Sequence, residues 1–341
     1  MYRTEWKDEE LDRHVAAAKV IPFDVSFLDD ALVGIFPNDL ILLGALTGKG
    51  KTEFATNVAL NASRRSKRVL FYALEADRWE IQRRMKYRAL SQIYFAHYRG
   101  KFPWPRYSEW LVQGFMPDWA ALEKEAENQL HLDMLELKVV YKGGKFTVND
   151  FVKELADSAM HREFDFLVVD HLHYFDLDTR TETEGLKQAA HAMRNLSIHL
   201  GKPILLLAHL RKHGQAFPGL DDFHGHSDIV KVATQVIVMS PAYNLTQAND
   251  VGHFPTYFHI AKSRRASENV PFVGVLGFDR QRNRYGEKYY IAKHGGTDEP
   301  ELITAASEIP GWYRRANRSF TYGHVKPAPC GARVVSAAKE D

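Results

Sequence analysis

The sequence predicts an α/β fold: a mostly parallel, twisted sheet flanked by helices, finished by an antiparallel hairpin extension. Three observations predict it. Apolar runs of strand length alternate with longer stretches of helical spacing. Those runs are apolar throughout rather than alternating, as strands covered on both faces are. Beyond residue 235 the strand-like runs succeed one another with no helical stretch between them, which suits hairpins.

In chain order, residues 1–19 are polar, with weak helical spacing through Trp6, Leu11 and Val15. They read either as a frayed end or as an arm that docks on a neighbouring copy. Residues 20–37 lead into a strand, Leu40-Ile41-Leu42-Leu43, followed by a glycine-rich turn and a helix-like run from Phe54 to Ala62. A basic turn at 64–68 precedes a second strand, Val69 to Leu74, closed by Glu75. A helical region follows from Asp77 to about Gln92, then an aromatic, proline-rich segment at 94–117, within which 102–107 reads as either a subunit contact or core. Helices are expected near 119–130 and 146–161, the latter carrying Phe151, Val152, Leu155 and Met160 on its apolar side. Phe164 to Asp170 reads as a strand ended by an acid, residues 184–200 as a helix, and Pro203 to His209 as a fourth strand. A polar His- and Gly-rich loop at 211–228 precedes a strand at 235–239 and hairpin strands at 256–262, 270–278 and 287–293. The last forty residues lack periodicity. The expected division is an arm at 1–19, one large domain at 20–297 and an extension at 298–341.

The turn Gly44-Ala45-Leu46-Thr47-Gly48-Lys49-Gly50-Lys51-Thr52 carries the clearest chemistry. A strand, a small-residue turn and a helix opening make a phosphate nest: backbone N–H groups converge on one point and the helix dipole adds positive charge there. Gly44, Ala45, Thr47, Gly48, Lys49 and Gly50 supply the cradle; Lys51 neutralises the outer phosphates, and the Thr52 hydroxyl ligates Mg²⁺. Nucleoside triphosphate, ATP in the first instance, is the expected ligand. The strict motif asks for glycine where this chain has Ala45, so a plain Gly/Lys surface turn is the competing reading.

Glu75 and Asp170 each close a strand at the edge where open α/β sheets bind ligands. Asp170 is expected to hold Mg²⁺ opposite Thr52, and Glu75 to orient and deprotonate the attacking water. His209 reads either as an ordinary strand end or as a sensor of the γ-phosphate. Lys262 and Arg264 project the same way from an extended chain, either into solvent or as a finger into a neighbouring copy's nucleotide site.

The totals set bounds. A 341-residue chain with 45% hydrophobic residues buries a sizeable core. A net charge of +2 gives no strong global field, so nucleic-acid binding must come from local loops. One cysteine, Cys330, excludes a disulfide framework within the chain and suits a reducing cytosol. No apolar run reaches membrane-spanning length, so a cytoplasmic protein with no membrane partner is expected.

Taken together, these motifs resemble the RecA-type ATPase domain of the DnaB-like replicative helicases, over roughly residues 20–295. Gly34-Ile35-Phe36-Pro37-Asn38-Asp39-Leu40 stands where the family has its Gly-Leu-x-Pro-x-Asp-Leu phrase, and Ala45 matches the alanine that opens the family's P-loop. Leu74-Glu75-Ala76-Asp77 matches the phrase bearing the catalytic glutamate, and Val168-Val169-Asp170-His171-Leu172-His173 the Val-Ile-Asp-Tyr-Leu-Gln phrase. Lys262-Ser263-Arg264 matches the Lys-x-Arg finger. Two departures stand out: the family's Ser-Gln at the sensing strand is Ala208-His209, and the arginine of its DNA-contacting loop is His224. The resemblance implies a RecA-like P-loop NTPase acting in DNA replication as a stand-alone motor domain without the family's amino-terminal scaffold domain. It would be a helicase that forms a homo-oligomer, a hexamer by analogy, with ATP and Mg²⁺ between subunits. Single-stranded DNA would meet Arg211, Lys212, His224, Gly225 and His226; a primase, polymerase or loader would be further partners. A RecA/RadA- or KaiC-like ATPase acting in recombination or regulation without unwinding is the alternative on the same fold.

Overall fold

The computed structural model describes residues 20–98, 104–113, 120–141, 143–156, 164–176, 181–211, 217–223, 227–242, 253–265, 272–296 and 298–303. Helix α1 (Ser26–Leu32) precedes β1 (Leu40–Ala45), α2 (Lys51–Arg64) and β2 (Val69–Ala73). Helices α3 (Glu80–Tyr98), α4 (Tyr107–Gln113) and α5 (Ala120–Asp133) lead to β3 (Leu137–Tyr141). Then come α6 (Val148–Ala156), β4 (Phe166–Asp170), α7 (Glu182–Leu200), β5 (Ile204–His209), α8 (Ser227–Val232) and β6 (Gln235–Pro241). Strands β7 (His253–Ser263), β8 (Phe272–Asp279), β9 (Arg284–Gly295) and β10 (Asp298–Leu302) complete the chain as described.

All ten strands form one sheet in the order β10-β9-β8-β7-β6-β1-β5-β4-β2-β3. Its half from β3 to β6 is parallel and its half from β6 to β10 antiparallel, as the sequence pattern requires. Every residue of β1 is buried because its side chains alternate between two cores. Ile41 and Leu43 face the side covered by α1 and α2, with Phe27, Phe54 and Val58. Leu40 and Leu42 face the side covered by α6, α7 and α8, with Phe151, Met193 and Ile229.

Five elements were not read from the sequence: α1, α4, α8, β3 and β10. β3 is an edge strand with an exposed Lys138, so it has neither the continuous apolar run of an inner strand nor clean alternation. β10 uses residues 298–302, the start of the expected carboxy-terminal extension, as the sheet's outermost strand. Part of the aromatic segment packs against the protein's own core. Trp104 and Tyr107 pack with Trp110 against Tyr87, and Trp104 Nε1 donates to Tyr87 Oη at 2.9 Å.

The phrase that ends in Asp39 has a structural purpose. Asp39 is fully buried and accepts from Phe36 N (2.9 Å), Thr234 Oγ1 (2.8 Å), Gln235 Nε2 (3.2 Å) and Arg265 (2.8 Å to each oxygen). One carboxylate thus ties the start of β1 to the start of β6 and the end of β7. A buried charge met by this many donors is stable where an unmatched one is costly.

Strand β8 packs against α1 at Gly274, where an added Cβ would lie 2.2 Å from the Phe27 ring. Gly274→Ala is therefore expected to cost about 1–3 kcal/mol of stability through overpacking. The check is a urea titration, which should show a lower midpoint at an unchanged slope; an unmoved midpoint would contradict this seating of Phe27.

Candidate active site

The turn between β1 and α2 folds as the sequence predicts. Gly48 (φ 73°) and Gly50 (φ 87°) take left-handed backbone conformations, which an L side chain would resist. Gly50 is the N-cap of α2 and has no side chain to cap it, so the first N–H groups of the helix are directed outward, at the positive end of its dipole. Gly44 is required for a different reason. A Cβ there would lie 2.3 Å from Phe223 and 2.9 Å from Leu210, the residues that flank the loop after β5. Ala45 is buried in the sheet and its methyl group fits the apolar core there.

Lys51 is held back in the turn. Its Nζ donates to Ala45 O (3.0 Å) and Leu46 O (3.3 Å) and lies 3.0 Å from His209 Nδ1. Burial pushes its pKa down to about 8, against the opposing pull of Asp170 and Glu75. Thr47 Oγ1 also lies 3.4 Å from His209 Nδ1. His209 thus sits against the phosphate turn, which follows from the register pairing it with Ala45.

Asp170 ends β4 opposite Ala73 of β2, and Leu74 N and Glu75 N both approach its carbonyl. Its side chain is almost wholly buried, and burial pushes its pKa up to about 6, against the stabilising Thr52 hydroxyl. Asp170 Oδ1 has no hydrogen-bond partner. A buried carboxylate oxygen left open beside a threonine hydroxyl is the donor set that a hydrated Mg²⁺ takes, so the residues present fit that ion.

Glu75 is 40% exposed, and its Oε2 lies 3.0 Å from Nε2 of the buried His171. Burial, with His209, His173 and Lys51 nearby, pushes the pKa of His171 far down, so that contact is between a carboxylate and a neutral imidazole. The His171 and His209 rings meet edge-on, with centroids 4.0 Å apart. The sequence reading did not assign His171 a role; its place beside Glu75 comes from the β2–β4 pairing.

The remaining expected residues lie elsewhere. Lys262, Ser263 and Arg264 close β7 beside the start of β6, since Ser263 pairs with Gln235, which pairs with Ile41. The phosphate turn follows the other end of β1, four strand residues and roughly 13 Å further on. Lys262 Nζ donates to the carbonyls of Val230 (2.7 Å) and Lys231 (2.8 Å) at the end of α8, and Arg264 is exposed. Arg211 is exposed just after β5, its N–H donating to Asp222 O at 2.7 Å. Lys212, His224, Gly225 and His226 lie outside the described residues.

The family profile described as DnaB-like helicase C-terminal domain matches residues 21–285. No curated protein matches the chain by sequence. Among solved structures, one determined as an ATPase domain is similar at a TM-score of 0.64 and 16% identity, covering 84% of this chain and 100% of that one. A DnaB-like replicative helicase, reported with its interactions with primase, is similar at a TM-score of 0.64 and 16% identity, covering 83% of this chain and 67% of its own. At that identity the two structures speak for the fold.

Two shifted groups set an expected pH window for Mg-nucleotide binding. Below about 6, Asp170 takes up a proton and ceases to attract the cation; above about 8, Lys51 loses the charge that attracts phosphate. Displacement of a fluorescent ATP analogue should show the tightest binding between those limits. Affinity that stays level across both would contradict the assignment.

Proposed function

Since the chain belongs to the DnaB-like helicase C-terminal domain family, we propose that it is an ATP-dependent, ring-forming DNA helicase that translocates on single-stranded DNA during replication. Residues 20–297 are its motor domain. The observation that carries this reading is the position of Lys262 and Arg264. They sit at the opposite end of β1 from the phosphate turn of their own chain, which supports a second copy as the one that brings them to a nucleotide. Burial and then repulsion from Arg264 and Arg194 hold the pKa of Lys262 down, and burial and then repulsion from Arg264 hold that of Arg194 down. A neighbour's polyphosphate would relieve that repulsion.

On this reading the turn from Gly44 to Thr52 binds the phosphates, and Lys51 exchanges its carbonyl and His209 contacts for phosphate oxygens. Mg²⁺ arriving with ATP would be held by Thr52 and Asp170 and would neutralise charge on the β- and γ-phosphates. Glu75 orients the attacking water and accepts its proton. Lys262 and Arg264 of the adjacent copy stabilise charge on the transferring phosphoryl. His209, touching Lys51 and ending the strand that leads to Arg211, reports γ-phosphate occupancy to the loop.

That loop is the proposed DNA contact, through Arg211, Lys212, His224, Gly225 and His226. Its base is fixed to the nucleotide strand: Leu210 bridges Phe223, and Phe223 packs on Gly44. Contacts of this kind hold phosphates irrespective of sequence and weaken with salt. Primase is the first partner to test, because a similar replicative helicase is reported with its interactions with primase; a polymerase or loader comes next.

Single-stranded DNA at low salt should raise ATP hydrolysis, and the chain should unwind a forked duplex. Arg264→Ala and Lys51→Ala should each lower kcat by about 10³-fold or more. Mixing the two variants should restore part of the activity, since one supplies an intact phosphate turn and the other an intact finger. No recovery on mixing would rule out the shared site. Filaments on DNA without unwinding would favour a RecA/RadA-like pairing role.

A further inference from the structure

Glu75, His171 and His209 each place a possible ligand atom within 4.8 Å of the others, beside the phosphate turn. Two imidazoles and a carboxylate at such spacing invite comparison with transition-metal sites. The hydrogen bonding around His171 argues for a different use. His171 Nδ1 accepts from the backbone N–H of His173 at 3.2 Å, so the proton of the neutral ring is on Nε2. Nε2 is the atom that lies 3.0 Å from Glu75 Oε2. A metal on that nitrogen would need the proton moved to Nδ1, against an N–H group already pointing there.

The Nε2–H is also short of an acceptor. His171 is 1% exposed, and Nε2 makes no aligned hydrogen bond although the carboxylate is at the right distance. A buried donor left unsatisfied is costly, and catalytic hydrogen bonds often align only when the site is loaded. Glu75, at 40% exposure, has the freedom to turn that the buried ring lacks. The edge-on packing of His209 at 4.0 Å helps to fix the plane of His171.

We propose that His171 is a positioning residue for hydrolysis: once the site is loaded, its Nε2–H aligns on one oxygen of Glu75 and holds it, leaving the other oxygen turned to the attacking water. The nitrogen of this imidazole that carries the proton is selected by the His173 backbone. The inference rests on the role proposed for Glu75 as the residue that activates water.

The test compares His171→Phe, which keeps a ring but loses the donor, with His171→Gln, whose amide can donate from a similar place. Steady-state Mg-ATP hydrolysis by the full chain should show kcat falling at least about ten-fold in His171→Phe, as expected for a misaligned base, with KM within about two-fold. His171→Gln should recover to within about three-fold of the wild type. Equal kcat in His171→Phe and wild type would overturn the proposal, as would a loss in His171→Gln as deep as in His171→Phe while both bind a fluorescent ATP analogue normally. If His171→Phe fails to bind the analogue, His171→Asn, smaller and with a shorter reach, takes its place with the same expected kcat loss. Titration of the wild type with Co²⁺ separates the metal reading: a visible ligand-field band lost in His171→Gln would also overturn the clamp. A wild type that binds the nucleotide but never hydrolyses it would remove the role of Glu75 and this inference together; an active wild type with an unimpaired His171→Phe removes this inference alone.

Discussion

The parallel register of four strands is the constraint on which the rest depends. β1 pairs with β5 so that Ala45 lies beside His209, and β4 pairs with β2 so that Asp170 lies beside Ala73, two residues before Glu75. With β4 also paired to β5, the phosphate turn, the buried acid, the exposed acid and the histidine all emerge along one edge. A slip of one residue in either pairing would turn Asp170 or His209 to the opposite face of the sheet. The register is secured by the two cores, because every strand from β2 to β6 has side chains committed to both. At the other edge, Asp39 and its donors from Thr234, Gln235 and Arg265 anchor β1 against β6 and β7.

Against this rigid frame, the site itself is set for exchange. Lys51 already has two carbonyl acceptors and a histidine, which a phosphate would have to displace, and its lowered pKa reflects the burial of its own side chain. Asp170 is in the converse state: buried, raised in pKa and with one oxygen open, it gains most from an arriving cation. The same strands that bring these groups together carry the chain directly into the loop beyond Arg211. The packing of Phe223 on Gly44 leaves no slack between the phosphate turn and the base of that loop. On the proposed function, any shift of the turn on loading would be transmitted by contact between these close-packed groups.

Much of this was legible because the signals are local. The strand–turn–helix around Lys51 combines a continuous apolar run, glycines where left-handed conformations occur and a helix start, all within two dozen residues. The acids that close β2 and β4 are similarly marked by the apolar runs before them. Features held by distant partners were hidden. β3 is interrupted by the exposed Lys138 and has neither a continuous apolar run nor clean alternation, so its place is fixed only when β2 supplies its pairing. Trp104 and Tyr107 are an aromatic segment without a defined place until Tyr87, on a separate helix, gives them a ring to pack on. Arg265, next to the two cations singled out, is committed to an acid 226 residues away.

The amino-acid sequence by itself determined the kind of sheet, the phosphate turn, the two acids and the order in which they come, because periodicity and turn chemistry are properties of neighbouring residues. Only the tertiary structure decided which groups meet. It put His171 against Glu75 and His209 against Lys51, and it placed Lys262 and Arg264 at the far end of β1 from their own chain's turn. Those distances follow from strand order and register, which arise when the two cores close over both faces of the sheet, and no stretch of the chain records them on its own.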